Sequence, residues 1–393
     1  MFLWSPSDSF SVELRRSYSA YQRGRHLRCA VIALLALSSL SGAQASSIVG
    51  RDNLQNSSSG TFVWTIQDVY AGKTFFDTFN FFTGDDPTHG TVNYTTKDFA
   101  FANGLAYVSG DGTVVMKGDD TTQLAAGVNR NSVRISSQAQ YNTGLFILDL
   151  NRAPWGCGVW PAWWTVGSGQ WPFTGEIDII EGVHDNEHNQ VTWHTGGNCT
   201  LTPTANFTGT IVTTNGQPNL VCDGTANGNA GCGITEWSRA SYGPTFDAAG
   251  GGVFAMKWDE DGIAVWSFYR QAVPQDIVQG EPSPDEWGLP VAELLPAGCD
   301  PIANFVNHSI IFDITFCGDW AGNSYATSGC PGTCSDHLMD PANFVNASWS
   351  INSLKVYKKV PLVKASNAGN FGYPLSKAIL WVFTGAILFS VLT

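Results

Sequence analysis

Charged side chains are scarce in this sequence, and basic ones are the scarcer kind. Asp, Glu, Lys and Arg make up 13% of the 393 residues, and 33 acidic residues outnumber 20 basic ones. The net charge is −13, and no large basic cluster lies beyond the N-terminal segment. Such a chain repels phosphate backbones, so we predict that it has no nucleic acid partner.

Helical periodicity and internal repeats are also scarce. Leu289–Leu295 is the only segment with modest helical character, and neither a repeat of fixed period nor a long Pro/Ser linker divides residues 46–364. A helical bundle and a repeat array are therefore both disfavoured. Residues 46–364 are predicted to form a single domain.

Short runs with apolar and polar alternation fill this region instead. Examples are Thr74–Phe82, Val159–Thr165 and Gly175–Glu181, and turn residues separate almost all of the runs. The chain is also rich in Gly (42), Phe (23) and Trp (15), a composition suited to strands and tight turns. Many strands without intervening helices predict an all-β fold, a sandwich of two curved antiparallel sheets.

The beginning of the chain is typical of an export signal. The apolar run Ala30–Leu40 follows five arginines and precedes the small-residue stretch Ala43–Ala45. We therefore predict that residues 1–45 are a signal peptide or N-terminal leader. The remaining protein is expected to be secreted.

The end of the chain is typical of a lipid-anchor signal. The apolar run Ala378–Thr393 is too short for a comfortable membrane span, and a polar spacer, 370–377, precedes it. With the small residues just upstream, this layout predicts that 365–393 is a glycosylphosphatidylinositol (GPI) attachment signal. Asn367 is the predicted anchor site and Ser366 the second choice, and a short tail-anchoring helix is the alternative. The anchor would hold the protein on the outer face of the cell membrane or in the cell wall.

Cysteine usage agrees with export. Of the nine cysteines, Cys29 lies in the leader and eight remain, which suggests four disulfides. Cys222 and Cys232 close a Gly/Asn-rich loop and are predicted to pair, whereas the partners of Cys330 and Cys334 stay open. The predicted N-glycosylation sites, each the start of an N-x-S/T sequon, are Asn56, Asn93, Asn198, Asn206, Asn307 and Asn346.

Three carboxylates alternate with branched apolar residues in the segment Gly175–Gly182. Strand alternation places Glu176 and Asp178 on one face, but Glu181, five positions after Glu176, would point to the other face of a regular strand. A carboxylate in the apolar core is costly. We therefore predict a β-bulge near Ile179 or Ile180 that returns Glu181 to the face of the other two acids.

A row of three acids has several interpretations. It could be a solvated strand face or a calcium site, but tryptophans lie just upstream and a Trp-His pair just downstream. Aromatic rings desolvate a neighbouring carboxyl group and so raise its pKa, which suits a group that must donate a proton. Aromatic rings also stack on sugars. The surroundings therefore favour paired-carboxylate acid/base catalysis. The nearby His184, Glu187 and His188 have a spacing that could chelate zinc on a helix, but they follow a predicted strand and lack the H-E-x-x-H order, so a turn is expected there instead.

Several segments with these acids at their centre match one known family. They are Thr74–Asp77, Asp86–Gly90, Cys157–Trp164, Trp171–Pro172, Gly175–Val183, His194 and Phe312–Gly322. Together they resemble glycoside hydrolase family 16, and within it the fungal endo-β-1,3(4)-glucanases, or laminarinases. The resemblance implies a jelly-roll sandwich with a concave substrate cleft and a retaining mechanism.

The resemblance also implies a role for each matching residue. Glu176 would be the nucleophile, Glu181 the acid/base and Asp178 the residue that tunes its neighbours. The cleft residues that bind β-glucan would be Trp160, Trp164, Trp171 and His194. Trp163 is expected to have a structural role.

The expected activity is hydrolysis of β-1,3-glucan, mixed-linkage β-1,3-1,4-glucan, or both. A cell-wall transglycosylase on the same fold and a non-catalytic β-glucan-binding protein are the alternatives. We expect a monomer with no catalytic metal and no cofactor, and a structural calcium ion is left open.

Overall fold

The computed structural model describes residues 62–362. The leader, the sequon at Asn56 and the predicted anchor site at Asn367 lie outside these residues. None of the helices between 62 and 362 combines the length and apolar character that crossing a bilayer requires.

Short strands make up most of the structure. In chain order they are β1 (Phe62–Tyr70), β2 (Phe79–Phe81), β3 (Val92–Tyr94), β4 (Ala106–Val108), β5 (Val114–Lys117), β6 (Arg130–Ser132), β7 (Arg134–Tyr141), β8 (Gly144–Arg152), β9 (Val159–Gly167), β10 (Glu176–Glu181), β11 (Gln190–His194), β12 (Thr210–Ile211), β13 (Thr213–Thr214), β14 (Gln217–Pro218), β15 (Cys232–Thr235), β16 (Gly252–Asp259), β17 (Gly262–Tyr269), β18 (Ala292–Leu294), β19 (His308–Phe316) and β20 (Ser348–Pro361).

The helices in this range are all short. The α-helices are α1 (Lys97–Ala102), α2 (Gly243–Ala248), α3 (Gln275–Gln279) and α4 (Cys334–His337). The 3-10 helices are Gly72–Thr78, Arg270–Ala272, Pro284–Glu286, Tyr325–Thr327 and Pro341–Phe344, and a single π turn spans Gly318–Gly322.

Two antiparallel sheets of eight strands form the sandwich. The back sheet has the order β18-β17-β16-β8-β20-β5-β4, with β1 paired to β20. The cleft sheet has the order β12-β15-β11-β10-β9-β19-β7-β2. β13-β14 and the parallel pair β3-β6 stand apart from both sheets. The predicted all-β sandwich is confirmed.

The core lies between the sheets and is dominated by rings. Trp163 of β9 stacks on Phe312 of β19, with ring centroids 6.2 Å apart, and Phe312 contacts Trp349 of β20 at 5.4 Å. Ile177 and Ile179 of β10 are also buried in this core. Because alternate residues of a regular strand face opposite sides, the residues on either side of Ile177 project from the outer face of the cleft sheet.

The outer face of the back sheet is covered. A second apolar cluster there includes Leu145 and Ile147 of β8, and Ile277 of α3 and Trp287 pack on it. The apolar run in β8 is therefore buried on both faces, as in strands with no solvated side. The back sheet has no open face over β8, and the cleft sheet carries the candidate site.

Two of the sequence predictions were wrong in detail. Thr74–Phe82 was expected to be one strand, but Gly72–Thr78 is a 3-10 helix, whose turn directs the adjacent Phe75 and Phe76 into the core together. The helical candidate Leu289–Leu295 contains β18 instead. This strand pairs with β17 and buries Ala292 and Leu294, so packing outweighed its weak helical pattern.

Four disulfides cross-link the fold, which is the number predicted. The local pair Cys222–Cys232 is confirmed. The long-range pairs, which spacing could not give, are Cys157–Cys330, Cys199–Cys299 and Cys317–Cys334. Two of these tie the segment around α4 to the strands that carry the cleft residues.

The five sequons within the described range lie at the surface or close to it. Four of the asparagines, Asn93, Asn198, Asn206 and Asn307, are exposed, whereas Asn346 is half-buried. Glycan attachment at these positions stays a prediction.

Candidate active site

The predicted bulge interrupts β10. Opposite β11, regular pairing ends at Asp178 and resumes at Glu181, and opposite β9 it shifts between Asp178 and Ile180. Both Ile179 and Ile180 are fully buried in the core. The extra residue therefore restores Glu181 to the cleft face that Glu176 and Asp178 share, and the predicted irregularity is confirmed.

A tryptophan N–H donates to each glutamate. Trp171 Nε1 lies 2.9 Å from Glu176 Oε2, and Trp160 Nε1 lies 2.9 Å from Glu181 Oε1. Hydrogen bonds to a carboxylate are charge-assisted and fix its direction. The indole donors thus hold both carboxylates in place while their rings remain available at the cleft surface.

Asp178 lies between the two glutamates and faces a histidine. Its Oδ2 is 3.4 Å from Nε2 of His194, and both side chains are buried. One ligand atom each of Glu176, Asp178 and His194 lies within 4.8 Å of the others, so this trio could hold a metal ion. Within residues 62–362 no other set of three His, Cys, Asp or Glu side chains does so. The structural calcium ion stays a prediction.

Burial raises the pKa of every acid in the row. For Glu176 burial and then the charge of Asp178 raise the pKa to about 8, while His194 and the Trp171 N–H oppose this rise. Burial and Asp178 hold the pKa of Glu181 well above its ordinary value, against the Trp160 N–H. Burial and Asp313 likewise raise the pKa of Asp178. Protons are thus shared across the row near neutral pH, as acid/base chemistry requires.

Sequence reasoning missed a fourth carboxyl group. Asp313 of β19 is 8% exposed, accepts a hydrogen bond from the Ala162 backbone N–H at 3.1 Å, and has its pKa raised by burial to about 7. It belongs to the matched segment Phe312–Gly322, where its alternation with Phe312 and Ile314 could have placed it on the cleft face.

A cation at the cleft was also missed. Arg134 of β7 pairs in register with Asp313, and its guanidinium lies 5.0 Å from the Trp164 ring. Its charge lowers the pKa of Asp313 and of Glu176, against burial. Nothing in the local sequence of β7 marks it, because its partners belong to other strands.

Of the predicted cleft aromatics, Trp160 and Trp164 occupy alternate positions of β9, and Trp171 lies in the loop between β9 and β10. Trp160 meets Trp320 edge to face at 5.9 Å, and Trp171 is 38% exposed, with its ring 6.1 Å from that of His194. Trp164 lies opposite Asp178 in register. Trp163, by contrast, is fully buried on the core face, in agreement with the expected structural role.

A loop stapled by Cys222–Cys232 closes on His194. Gly231 has φ +59°, and a Cβ placed there would lie 2.7 Å from the His194 ring. Only glycine combines this backbone conformation with so close an approach. The loop therefore limits how far the ring can turn away from Asp178.

The zinc alternative fails on geometry. His184 Nδ1 accepts from the Gly158 N–H, His188 Nδ1 bonds the Glu236 carbonyl, and Glu187 pairs with Arg239. Each side chain thus has a separate partner.

A hollow of about 300 Å³ lies next to this segment, with Gly182, Asn186 and Trp320 among its lining residues. Gly182 directly follows Glu181, and Trp320 contacts the cleft residue Trp160.

Comparisons with known proteins point to one family. A family model described as "XgeA-like, catalytic GH16 domain" matches residues 79–357. A probable glycosidase of Schizosaccharomyces pombe is 43% identical over 298 residues, which cover 75% of this chain and 69% of that protein. An endo-1,3(4)-beta-glucanase of Arthroderma benhamiae is 40% identical, over 76% of this chain and 66% of its own. A probable endo-1,3(4)-beta-glucanase of Aspergillus niger is 38% identical, but the match spans only 41% of its length.

Two solved structures are similar over their whole length. The GH16 laminarinase 16A from Phanerochaete chrysosporium, which holds beta-glucans in donor and acceptor sites, is 42% identical with a TM-score of 0.71. An elongating GH family 16 beta-1,3-glucosyltransferase is 39% identical with a TM-score of 0.69. Each match covers 75% of this chain and 100% of the solved one.

Proposed function

Since the chain belongs to glycoside hydrolase family 16, we propose that it is a retaining endo-β-1,3(4)-glucanase. It hydrolyses β-1,3-glucan, mixed-linkage β-1,3-1,4-glucan, or both. The observation that carries the proposal is the bulge of β10, which puts Glu176 and Glu181 on one cleft face, each held by a tryptophan N–H. The relatives named as endo-1,3(4)-beta-glucanases support the same substrate class.

The first step forms a covalent intermediate. The Glu176 carboxylate attacks the anomeric carbon, and the glycosidic C–O bond breaks with its electron pair on the departing oxygen. Glu181 gives that oxygen its proton as the bond breaks. Burial and Asp178 raise the pKa of Glu181, which keeps the acid protonated for this step. Burial and Asp178 raise the pKa of Glu176 to about 8, and His194 and the Trp171 N–H oppose this rise and so favour the anion that attacks.

The second step releases the sugar. The Glu181 carboxylate removes a proton from water, the water oxygen attacks the anomeric carbon, and the ester bond to Glu176 breaks. Two inversions give net retention of the anomeric configuration. Asp178 lies between the two glutamates, and burial and Asp313 raise its pKa, so it holds a proton there. This limits the number of like charges in the row.

The glucan binds along the outer face of the cleft sheet. Trp160, Trp164 and Trp171 offer ring surface to the sugar C–H faces, and His194 lies between Trp171 and Asp178. Two of these indoles also hold a catalytic glutamate. Substrate binding and carboxylate orientation are therefore coupled through the same side chains.

The test is cleavage of purified polysaccharides. The protein is incubated with laminarin, lichenan and chitin-linked glucan, reducing ends are counted, and the anomer first released is read by proton NMR. Glu176→Ser should abolish cleavage without loss of folding, whereas Glu286→Ser, at an exposed acid on a 3-10 helix away from β10, should cleave as the wild type does. Full glucan binding with no turnover would instead support a binding protein, and an inverted product would exclude the double displacement.

Transglycosylation is a second candidate, and one observation favours it. The elongating GH family 16 beta-1,3-glucosyltransferase is 39% identical and covers 75% of this chain. Both reactions use the same glycosyl intermediate, and they differ in whether water or a sugar hydroxyl attacks it. Products longer than the supplied oligosaccharide, formed faster than new reducing ends, would establish the transferase.

We also propose that the protein is exported as a monomer and held at the cell surface by a GPI anchor on Asn367. The support is the layout of both termini, the sequons and the four disulfides. Phosphatidylinositol-specific phospholipase C should release the protein from cells that express the full chain. Retention on the membrane after this treatment would support a tail-anchoring helix instead.

A further inference from the structure

The bulge that returns Glu181 to the cleft leaves two backbone groups without the usual strand partner. Asn189, the residue just before β11, supplies both partners from its side chain. Its Nδ2 donates to the Ile179 carbonyl at 2.8 Å, and its Oδ1 accepts from the Glu181 backbone N–H at 2.9 Å. Asn189 is fully buried. A single amide thus spans the bulge and replaces the ladder bonds of a regular strand.

A second buried side chain fixes which way this amide points. Nδ2 of Asn189 also donates to Glu236 Oε1 at 3.0 Å. Glu236 is 1% exposed and accepts a further bond from Ser267 Oγ at 2.5 Å. Because Glu236 Oε1 is an acceptor, the Asn189 amide must turn its NH2 toward Glu236. Its oxygen therefore points toward the Glu181 N–H.

The backbone of the same two residues is tied down as well. The Asn189 N–H donates to Ser241 Oγ at 2.9 Å, and the Glu236 N–H donates to the Asn189 carbonyl at 2.9 Å. The network is therefore satisfied at each of these polar groups. A satisfied buried network is rigid, and the alternative of an unpaired group in this apolar surrounding is costly.

We propose that Asn189 and Glu236 are positioning residues for Glu181: they hold the bulge of β10 in the one geometry that aims the Glu181 carboxyl group at the departing glycosidic oxygen. The inference rests on the proposed function, since it assigns Glu181 as the acid. It differs from a plain stabilising role in one respect. Loosening the bulge should harm the proton transfer from Glu181 more than the attack by Glu176, because displacement of a catalytic group by about 1 Å costs up to about 10²-fold in rate.

The test separates these two effects by the leaving group. Phenyl and 2,4-dinitrophenyl β-laminaribiosides share the same sugar, but only the phenoxide needs a proton from the acid as it departs. We expect Asn189→Ala to lower kcat/KM for the phenyl substrate about 10- to 100-fold and for the dinitrophenyl substrate less than about 3-fold. Asn189→Asp, which keeps the size and loses the NH2, should show the same ratio.

Two further variants complete the design. Glu236→Gln keeps an acceptor oxygen for Asn189 and should retain at least about half of the wild-type kcat/KM on both substrates, while Glu236→Leu should behave like Asn189→Ala. The control is Asn352→Ala in the back sheet, where the Asn352 amide donates to Asp149 and Asn151. The Asn352 oxygen also accepts from the Asn151 amide, so the variant removes three side-chain hydrogen bonds, as Asn189→Ala does, and should leave the ratio of the two substrates unchanged.

Equal losses on both substrates, no loss on either, or the same ratio in Asn352→Ala would overturn the inference. These outcomes do not depend on the natural polysaccharide. A wild-type protein that splits the aryl glycosides but no β-glucan would contradict the proposed substrate, and the positioning roles would still be judged from the aryl series.

Discussion

At one end of β10 the carboxylate of Glu176 accepts from Trp171, which belongs to the loop between β9 and β10 and is 38% exposed. At the other end Glu181 accepts from Trp160, a residue of the neighbouring strand β9. The Glu181 end also contains the bulge and the buried amide of Asn189. The first acid is thus held by a loop and the second by the sheet and its buried network.

This difference has a physical consequence. A loop donor can adjust when substrate binds, whereas the bulge is tied to core residues such as Ile179 and Ile180. Changes at the Glu176 end should therefore act locally, on the chemistry and not on folding. Changes at the Glu181 end should combine a chemical effect with an effect on folding.

The largest effect is expected when the nucleophile is removed. Glu176→Gln leaves no carboxylate to form the intermediate, so kcat should fall on the order of 10⁴- to 10⁶-fold. The loss should be the same for phenyl and dinitrophenyl glycosides, because both need the attack. In Glu176→Ser, whose shorter side chain leaves space for an anion, added azide should restore turnover and give the α-glycosyl azide. A Glu176→Gln enzyme that keeps more than one hundredth of the activity would contradict the assignment.

Removal of the acid should have a smaller effect that depends on the substrate. Glu181→Gln should lower kcat/KM about 10²- to 10⁴-fold for laminarin and much less for the dinitrophenyl glycoside. Azide should here give the β-glycosyl azide, since the intermediate still forms on Glu176. If both variants gave the same azide anomer, the two roles would not be divided between the two ends.

The two tryptophan donors should affect opposite limbs of the pH profile. Each N–H lowers the pKa of its glutamate, so Trp171→Phe should raise the pKa of Glu176 and move the acid limb, where the nucleophile ionises, to higher pH. Trp160→Phe should raise the pKa of Glu181 and move the alkaline limb to higher pH. Shifts of about one unit, with about 10-fold losses in kcat/KM at the optimum, are expected. Movement of the same limb by both variants would contradict the assignment of roles.

The smallest expected effect concerns stability. Burial raises the pKa of Glu236 and that of Asp313 to about 7, so the folded state binds their protons more tightly than the unfolded chain does. Stability from these groups is complete below their ordinary pKa values and is lost as pH rises through about 7. The Tm should fall between about pH 5 and pH 8, and Glu236→Gln should flatten this fall. A Tm that rises over this range would contradict the protonated state of these groups.

Much of the site could be predicted from one short segment. Alternation in Gly175–Gly182 placed two acids on one face, and the cost of a buried carboxylate required an irregularity before Glu181. Both inferences involve neighbours in the chain. The same locality explains why the pair Cys222–Cys232 was predictable and the three long-range disulfides were not.

The groups that the sequence did not reveal reach the site from other strands. Arg134, Asp313 and Glu236 lie in segments whose local patterns resemble those of many other strands, and Asn189 is an ordinary loop residue by sequence. The register of the cleft sheet brings them to β10. No local pattern specifies which strand pairs with which.

The sequence by itself determined the strand-rich composition, the row of acids, the need for a bulge and the resemblance to one family, because each depends on residue type and on near neighbours. Only the tertiary structure decided which distant side chains complete the row and which amide holds the bulge. These contacts depend on the order and register of strands that are far apart in the chain, and they form only when the core between the two sheets is packed.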